Sequence, residues 1–288
     1  MKVIRSIELL QKRMSNLQKQ QIGFVPTMGF FHEGHISLIK SAKKENDIVV
    51  TSIFVNPLQF GPNEDFEKYP RDEEQDMKLA EQSGVDILFI PDVHEMYPRE
   101  MSISMQSNKR VDVLCGRSRP GHFDGVVTVL TKLFNMIQPH KVYFGMKDAQ
   151  QVAVVDGLIT DFNFPIELIG LPTIREKSGL AKSSRNVYLS SEENDSAVWL
   201  YKALTIGRQL VVDGENNPAN IVKEVMKVIT TETNGIIDYV ELLSYPELQP
   251  VTEMNQQVIL AVAVQFKNAR LIDNLLFDCN GKIVERLS

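Results

Sequence analysis

The stretch that decides the fold reads Pro26-Thr27-Met28-Gly29-Phe30-Phe31-His32-Glu33-Gly34-His35. It follows a strand-like apolar run at residues 22–25 and precedes a helix-like run at residues 36–45, so a first strand leads here into a first helix. In an open α/β sheet this crevice binds ligands, and the helix N-terminus offers free N–H groups to phosphate. His32 and His35 are three residues apart and share one face of the opening turn.

Three interpretations of these two histidines are open from this stretch alone. The first is a zinc site, although the zincin pattern places its histidines four residues apart and here the spacing is three. The second is a pair of turn histidines that hold backbone groups. The third is a triphosphate cradle, in which both imidazoles donate to phosphate oxygens as charge builds during nucleotidyl transfer.

Composition and charge exclude several function classes. The 288-residue chain has the apolar and charged fractions of an ordinary globular protein and a formal net charge of −6, which disfavours broad nucleic-acid or membrane-surface binding. Cys115 and Cys279 lie far apart and outside any motif, as expected in a reducing, cytoplasmic setting. We expect no signal peptide, because residues 1–21 lack an apolar core, and no membrane span.

Strand-like and helix-like segments alternate through the first part of the chain. Strands are predicted at residues 22–26, 48–55, 86–91, 141–145 and 166–172, with a further short strand within 103–114. Helices are predicted at residues 6–19, 36–45, 72–83 and 125–138, and again from 146 onward. The β-branched run at 48–55 suits a parallel strand that is covered on both faces. This order predicts an α/β fold, a Rossmann-like, mostly parallel sheet with helices on both faces.

The remainder of the chain changes character. Two helices are predicted at residues 192–212 and 218–231, and three alternating strands follow at 236–243, 258–266 and 270–277. This order indicates a smaller C-terminal α+β domain. We therefore divide the chain into residues 1–176, a Rossmann-like ligand-binding domain, and residues 177–288, which close over the site, because pockets favour domain interfaces.

Polar side chains follow two of the predicted strands, at the ligand-bearing edge of the sheet. Asn56 and Gln59 follow the second strand, where their amides could bind a ligand or cap the loop. Lys147 follows the fourth strand and could reach a phosphate, and Gln151 lies one turn later on the same helical face. The loop at residues 175–186 combines two serines with several cations and suits either a polyphosphate or a basic linker between domains.

Five sequence blocks occur together and in order. They are Pro-Thr-Met-Gly-x-x-His-x-Gly-His at 26–35, Phe-Val-Asn-Pro-x-Gln-Phe at 54–60, Arg-Pro-Gly-His-Phe-x-Gly-Val at 119–126 with Lys-Leu-Phe-Asn at 132–135, Phe-Gly-x-Lys-Asp-x-Gln-Gln at 144–151, and Gly-Leu-Ala-x-Ser-Ser-Arg-Asn at 179–186. On these blocks the chain resembles the pantothenate synthetases (pantoate–β-alanine ligases) of the HxGH nucleotidyltransferase superfamily. The resemblance covers almost all of the first domain and the 179–186 loop and is weak beyond them.

The resemblance implies a two-step, ATP-dependent ligation. The carboxylate of (R)-pantoate attacks the α-phosphorus of ATP and gives pantoyl adenylate and pyrophosphate. The amine of β-alanine then attacks the activated carbonyl and gives pantothenate, a coenzyme A precursor, and AMP. The resemblance also implies Mg²⁺ as the metal and a homodimer formed through the first domain.

The resemblance carries the following roles onto this chain. His35, His32 and Lys147 are the expected catalytic residues. The expected ATP contacts are Met28, Gly29, Phe30, Phe31, His32, Glu33, Gly34, His35, Gly145, Met146, Lys147, Asp148, Ile174, Lys182, Ser183, Ser184 and Arg185. Gln59 and Gln151 match the family's pantoate-binding glutamines, with Asn56 as a third substrate contact. The Mg²⁺ ligands are unknown, and Asp76 and Asp148 are candidates, since Mg²⁺ takes few protein carboxylates and keeps waters.

Three positions depart from the family pattern, and they qualify this interpretation. Phe31 stands where the family usually has Leu, Ser178 where it usually has Asp, and Lys182 at a commonly apolar position. Two other functions are compatible with parts of the pattern. One is a different HxGH nucleotidyltransferase, which would need further basic residues for a phosphorylated acceptor. The other is a catalytically silent nucleotide sensor. A synthetase acting on tRNA would need a basic anticodon-reading module, which the acidic balance disfavours.

Overall fold

The first domain is built on a parallel sheet. The structure is a computed structural model, and it describes residues 1–62, 64 and 66–287. The strands are β1 Lys2–Ile4, β2 Ile22–Thr27, β3 Ile48–Ile53, β4 Ile87–Phe89, β5 Lys141–Gly145 and β6 Glu167–Leu171. They form one sheet in the order β1-β4-β3-β2-β5-β6, and every neighbouring pair is parallel. The predicted α/β fold is confirmed.

Helices cover both faces of this sheet. They are α1 Ile7–Ser15, α2 Glu33–Glu45, α3 Glu73–Ser83, α4 Val93–Met96, α5 Leu114–Ser118, α6 His122–Ile137 and α7 Ala149–Asp161. Buried side chains of α1, α6 and α7 pack with Phe24 and Val142 on one face of the sheet. Ile39 of α2 and Ala80 of α3 pack with Val25 on the other face. A sheet buried on both sides explains why its strands read as continuous apolar runs.

The order of the strands places a switch point beside β2. After β2, the chain extends the sheet through β3 and β4 and then returns to add β5 and β6 on the opposite side. The connections leaving β2 and β5 therefore diverge and open a crevice at the carboxyl ends of these two strands, where open α/β sheets bind ligands. Thr27 ends β2 and Gly145 ends β5.

The second domain contains two helices and an antiparallel sheet. Its elements are α8 Ser191–Val212, α9 Pro218–Glu232, β7 Ile236–Ser244, β8 Val258–Gln265 and β9 Arg270–Phe277, and the strands are ordered β7-β8-β9. Along β8, Leu260 and Val262 pack with the two helices, whereas Ala261 and Ala263 join the core of the first domain. Alternate residues of this strand thus bind the two domains together.

Two segments differ from the sequence prediction. The predicted strand within residues 103–114 is wrong: this described stretch forms no strand, because the carbonyls of Arg110 and Val113 accept from the Gln150 amide, at 2.9 and 2.8 Å, instead of from a neighbouring strand. Strand β1 was not predicted. It forms because Ile4 is buried and the segment pairs with β4 at the edge of the sheet.

The division at residue 176 is kept as a proposal. The first sheet ends at Leu171, and Leu180 already packs in the core of the second domain. However, the last described residues return to the first domain: Leu287 pairs with Gly170, and Arg286 forms an ion pair with Glu45 at 2.9 Å. In the described part of the chain, none of the helices combines the length and apolarity that a membrane crossing requires.

Candidate active site

A cavity of about 230 Å³ occupies the crevice at the carboxyl ends of β2 and β5. It brings together predicted site residues from five separate parts of the sequence. They are Met28, His32, Gly34, His35, Gln59, Gly145, Lys147, Asp148, Gln151, Ile174, Lys182, Ser183, Ser184 and Arg185. Segments that are far apart in sequence therefore form one site.

The two histidines cap helix α2 with their own side chains. Nδ1 of His32 accepts from the backbone N–H of Gly34 at 3.1 Å, and Nδ1 of His35 accepts from the backbone N–H of His32 at 3.3 Å. A ring nitrogen that accepts carries no proton, so each neutral imidazole has its proton on Nε2. The ring centroids are 4.1 Å apart. This arrangement leaves two Nε2–H donors available to a ligand in the cavity.

Both histidines are neutral at physiological pH. Burial, reinforced by the positive charge of Lys147, lowers the pKa of His32 from 6.5 to about 4. Burial also lowers the pKa of His35 well below 6.5, with further contributions from His32 and Lys147. Neutral imidazoles stabilise negative charge through hydrogen bonds, without a full positive charge of their own.

A buried carboxylate fixes the turn that precedes these histidines. Asp76, 2% exposed, accepts from the backbone N–H groups of Phe30 at 2.7 Å and Phe31 at 2.6 Å. Gly29 has a φ of +83°, and a Cβ there would lie 2.9 Å from an Asp76 oxygen. The turn needs glycine for both reasons. Asp76 lines a separate cavity behind this turn, so its carboxylate supports the backbone, and its position does not favour a role as a Mg²⁺ ligand.

Lys147 is presented by a short 3-10 helix, Met146–Asp148, that follows β5. Its side chain is 19% exposed, and its Nζ lies 3.6 Å from an Asp148 oxygen. Gln151, in the first turn of α7, lines the same cavity. Lys147 and Gln151 therefore bring an ammonium group and an amide to the same cavity.

A second wall of the cavity is a hairpin-like loop followed by the serine segment. Arg175 and Ala181 form a β-bridge, and the N–H of Lys182 donates to the carbonyl of Ile174 at 2.9 Å. The ammonium group of Lys182 lies 3.4 Å from Glu33 and 3.7 Å from Glu176. It therefore joins this loop to the start of α2 at the mouth of the cavity.

The serine segment is ordered by its own side chains. Ser183 begins the 3-10 helix Ser184–Tyr188, and its hydroxyl accepts from the N–H of Arg185 at 3.3 Å. The hydroxyl of Ser184 lies 3.4 Å from that of Tyr69. The Arg185 guanidinium lies 5.8 Å from the centre of the Tyr69 ring. This set of hydroxyls, backbone N–H groups and a guanidinium is suited to binding phosphate oxygens.

Gln59 and Asn56 have different positions. The Nε2 of Gln59 donates to the sulfur of Met28 at 3.2 Å, and Gln59 lines the cavity. Asn56 is 1% exposed and donates to Gln59 Oε1 and to the Gly125 carbonyl, at 3.2 and 3.0 Å, while it accepts from the Tyr97 hydroxyl at 2.9 Å. The amide of Asn56 therefore orients Gln59, and the position of Asn56 does not support direct substrate contact.

Other predicted ATP contacts lie outside the cavity lining in the described part of the chain: Gly29, Phe30, Phe31, Glu33 and Met146. The centre of the Phe31 ring lies 5.4 Å from that of the His35 ring, so this side chain packs beside the histidine pair. The Glu33 side chain is 67% exposed and reaches the cavity mouth through Lys182. These residues surround the lining and shape it.

Helix α6 supplies an apolar side to the cavity that sequence reasoning did not assign. Its contributions are Val126, Val129, Leu130 and Leu133, and they lie beside Phe54. Their spacing along the helix predicts one apolar face but not that this face lines a cavity. A cavity that combines an apolar side with two glutamine amides suits a small organic substrate with a branched carbon skeleton and hydroxyl groups.

Two further polar residues were missed, Tyr69 and His122. The Nδ1–H of His122 donates to the Gln59 carbonyl at 2.8 Å, and its Nε2 faces the Arg119 guanidinium at 3.2 Å. Burial, then the Arg119 charge, lowers the pKa of His122 to about 4. The sequence signal that could have identified His122 was its place in the sequence block at residues 119–126. Tyr69 carried none, because its hydroxyl reaches the site beside Ser184, which is 115 residues away in sequence.

The donor set does not form a preformed metal cage. The described residues contain no group of three or more His, Cys, Asp or Glu that could hold an ion. Zinc, one of the interpretations of the His32–His35 pair, is therefore not favoured, because structural and catalytic zinc sites need at least three protein ligands. Asp148, half exposed and on the cavity wall, fits Mg²⁺ that is bound mainly by substrate phosphates and water.

Comparison with known proteins identifies the family. The family model for pantoate-beta-alanine ligase matches residues 2–276. The chain belongs to the pantoate–β-alanine ligase family. Among curated relatives of this ligase family, the pantothenate synthetases of Geobacillus sp. (strain WCH70) and Bacillus subtilis (strain 168) are each 58% identical to it, over 96% of this chain and 99% and 98% of their own lengths.

Solved structures of the pantoate–β-alanine ligase family have the same fold. A pantothenate synthetase from Thermus thermophilus is 42% identical, with a TM-score of 0.91 over 96% of this chain and 99% of that one. A pantoate-beta-alanine ligase from Francisella tularensis, complexed with beta-gamma ATP and beta-alanine, is 35% identical, with a TM-score of 0.78 over 96% and 97%. Members of this family are ligases, and so is this chain.

Proposed function

We propose that this chain condenses pantoate with β-alanine to form pantothenate, with pantoyl adenylate as the intermediate and pyrophosphate and AMP as the other products. Membership of the pantoate–β-alanine ligase family supports this reaction. The observation that carries it within the site is the pair of neutral histidines at the start of α2, each with an Nε2–H directed away from its backbone contact, beside the Lys147 ammonium group.

The first step needs charge stabilisation more than covalent help from the protein. As the pantoate carboxylate oxygen attacks the α-phosphorus, the α–β bridging oxygen leaves with pyrophosphate, and negative charge builds on the phosphates. His32 and His35 donate hydrogen bonds there, and Lys147 supplies positive charge. Because both imidazoles are neutral, we assign them hydrogen-bond stabilisation and not proton transfer. Ser183, Ser184 and Arg185 bind the remaining phosphate oxygens.

Pantoate is assigned to the part of the cavity between α6 and the two glutamines. Its dimethyl-substituted carbon packs against the apolar side formed by α6 and Phe54. Its hydroxyls pair with the amides of Gln59 and Gln151, which can both donate and accept. The amine of β-alanine then attacks the activated carbonyl from the Gln59 side, and AMP leaves.

Three further assignments belong to this proposal. Mg²⁺ would accompany ATP: Asp148 and the ATP phosphates would hold it, and it would supply positive charge beside the phosphates. The protein acts as a homodimer formed through the first domain. It functions in the cytoplasm, which the two widely separated cysteines favour. The two reaction steps require neither the homodimer nor the cytoplasmic location.

Pyrophosphate release tests the proposed reaction. With MgATP and pantoate but without β-alanine, we expect a burst limited to a single equivalent per site, because the adenylate stays bound. Adding β-alanine should make release continuous and produce equal amounts of AMP and pantothenate. A folded protein that binds ATP but releases no pyrophosphate with pantoate would exclude this function. It would favour another acceptor or a nucleotide sensor.

A further inference from the structure

Two adjacent residues of β9 extend from the second domain to both walls of the candidate active site. Asp273 is 3% exposed and Asn274 is 8% exposed. The backbone N–H of Asn274 donates to the Asp273 carboxylate at 2.8 Å, which links the two side-chain positions. Neither residue belongs to a sequence block that predicted the site, and both buried side chains also have partners outside their own strand.

Asn274 binds the turn that carries Lys147. Its side-chain amide donates to the carbonyls of Met146 and Lys147, at 2.9 Å each. A primary amide has two N–H donors, and here both are used on consecutive peptide groups. The orientation of these peptides sets the direction in which the Lys147 side chain leaves the backbone. A residue of the second domain therefore determines how the ammonium group enters the cavity.

Asp273 binds the second wall, the Ile174–Lys182 loop, through Arg175. Its two carboxylate oxygens accept from the Arg175 guanidinium at 2.6 and 2.9 Å, and the guanidinium lies 3.7 Å from the centre of the Tyr201 ring. Arg175 also donates to the Gly179 carbonyl at 3.1 Å. Bidentate pairing and stacking together restrict the guanidinium. They thereby fix the base of the loop whose ends, Ile174 and Lys182, line the cavity.

We propose that Asp273 and Asn274 are positioning residues for nucleotide activation, which set the Lys147 turn and the Ile174–Lys182 loop at the distance that an ATP phosphate chain requires. This inference rests on the proposed function. Through these two residues the second domain takes part in the catalytic geometry, because both phosphate-binding walls are hydrogen-bonded to strand β9. Neither residue needs to touch the substrate.

Single-turnover kinetics of Asn274→Ala test this inference. We expect the rate of adenylate formation to fall roughly 10- to 100-fold, since a misplacement of about 1 Å can have that effect. The affinity for ATP, measured by calorimetry, should change by much less, because the phosphate-binding groups are still present. Val264→Ala is the matched control. Val264 is fully buried in the second domain on the side facing α8 and α9, so its loss lowers the melting temperature without reaching the site.

Asn274→Asp gives a second, independent readout. A carboxylate cannot donate to the two carbonyls, whereas a protonated carboxyl can donate to one of them. Adenylate formation by this variant should therefore recover as the pH falls and decline as it rises. Wild-type protein and Asn274→Ala should lack that ionisation. A purely structural role would lower stability at every pH but would not introduce a new ionisation into the rate of the chemical step.

The outcomes separate this inference from the proposed function. If wild-type protein shows no pantoate-dependent pyrophosphate release, the proposed function fails. Suppose that wild-type protein is active and that Asn274→Ala and Val264→Ala have similar melting temperatures. If adenylate formation is then no slower in Asn274→Ala than in Val264→Ala, the positioning role is wrong. If Asn274→Ala does not fold, Asn274→Asp decides, and a pH profile that parallels the wild-type profile contradicts the inference.

Discussion

Replacing Lys147 with alanine is expected to lower the rate of adenylate formation about 100- to 1,000-fold, the effect of removing one preorganised charge-stabilising group. Lys147 is 19% exposed, so its charge acts in a partly desolvated site. The variant should still fold, because its nearest ionic partner, Asp148, is half exposed. Single-turnover formation of pyrophosphate from MgATP and pantoate measures the effect.

Lys141→Ala is the matched control for this variant. Lys141 begins the strand that Lys147 follows, its side chain is 18% exposed, and its ammonium group pairs with Glu45 and Glu167 at 3.4 and 3.2 Å. Its loss should leave the adenylation rate within a few-fold of wild type, since Lys141 is not among the described residues that line the cavity. Equal effects of the two substitutions would contradict the role of Lys147. In Lys147→Ala the pKa of His32 should also rise, because the Lys147 charge is one of its lowering influences.

The second large effect is expected at His35. His35→Asn keeps an acceptor near the position of Nδ1, so it can still accept from the His32 N–H, but it loses the Nε2–H donor. We expect adenylate formation to fall about 100-fold with little change in melting temperature. His35→Gln places an N–H near the lost Nε2–H and should recover part of the rate. If His35→Asn, which keeps the cap acceptor but lacks the donor, retains the wild-type rate, the donor role of His35 is wrong.

The pH profile distinguishes hydrogen-bond donation from proton transfer. An imidazolium that gives up its proton would lose activity as the pH rises through its pKa. Burial lowers the pKa of His32 to about 4 and that of His35 well below 6.5, so both are neutral from mildly acidic pH upward. The rate of adenylate formation should therefore show no decline that titrates with either histidine as the pH rises from 6 to 8. A His35-dependent decline over that range would indicate that His35 transfers a proton and would contradict its assignment as a hydrogen-bond donor.

Helices with a clear apolar period and recognisable first and last residues were predictable, because these signals lie within the helix and its immediate neighbours. Helix α3 begins after Asp72, whose side chain caps the N–H of Gln75, and ends at Gly84 with a φ of +95°, as the sequence indicated. Helix α2 was placed three residues too late. Its cap is a pair of histidines, and preferences for Ser, Thr, Asp and Asn at this position gave no indication of it.

The candidate site was predictable where residues follow strands and unpredictable where contacts are long-range. His32, Lys147 and Gln151 follow strand ends, and all three line the cavity. Asp76 could not be assigned correctly, because its partners Phe30 and Phe31 are 46 and 45 residues away. The same holds for Asn274, which binds the Lys147 turn from 127 residues away. Only the folded arrangement reveals such positioning groups.

The central claim is that the reaction passes through pantoyl adenylate, and the fate of one pantoate oxygen tests it most directly. If the carboxylate of pantoate attacks the α-phosphorus, AMP must leave with an oxygen atom that came from pantoate. With heavy-oxygen-labelled pantoate carboxylate, MgATP and β-alanine, mass spectrometry should find one labelled oxygen in every AMP and none in pyrophosphate. Label in inorganic phosphate, with ADP as the nucleotide product, would mean attack at the terminal phosphate, and unlabelled AMP would mean that no acyl adenylate forms. Either result would contradict the account.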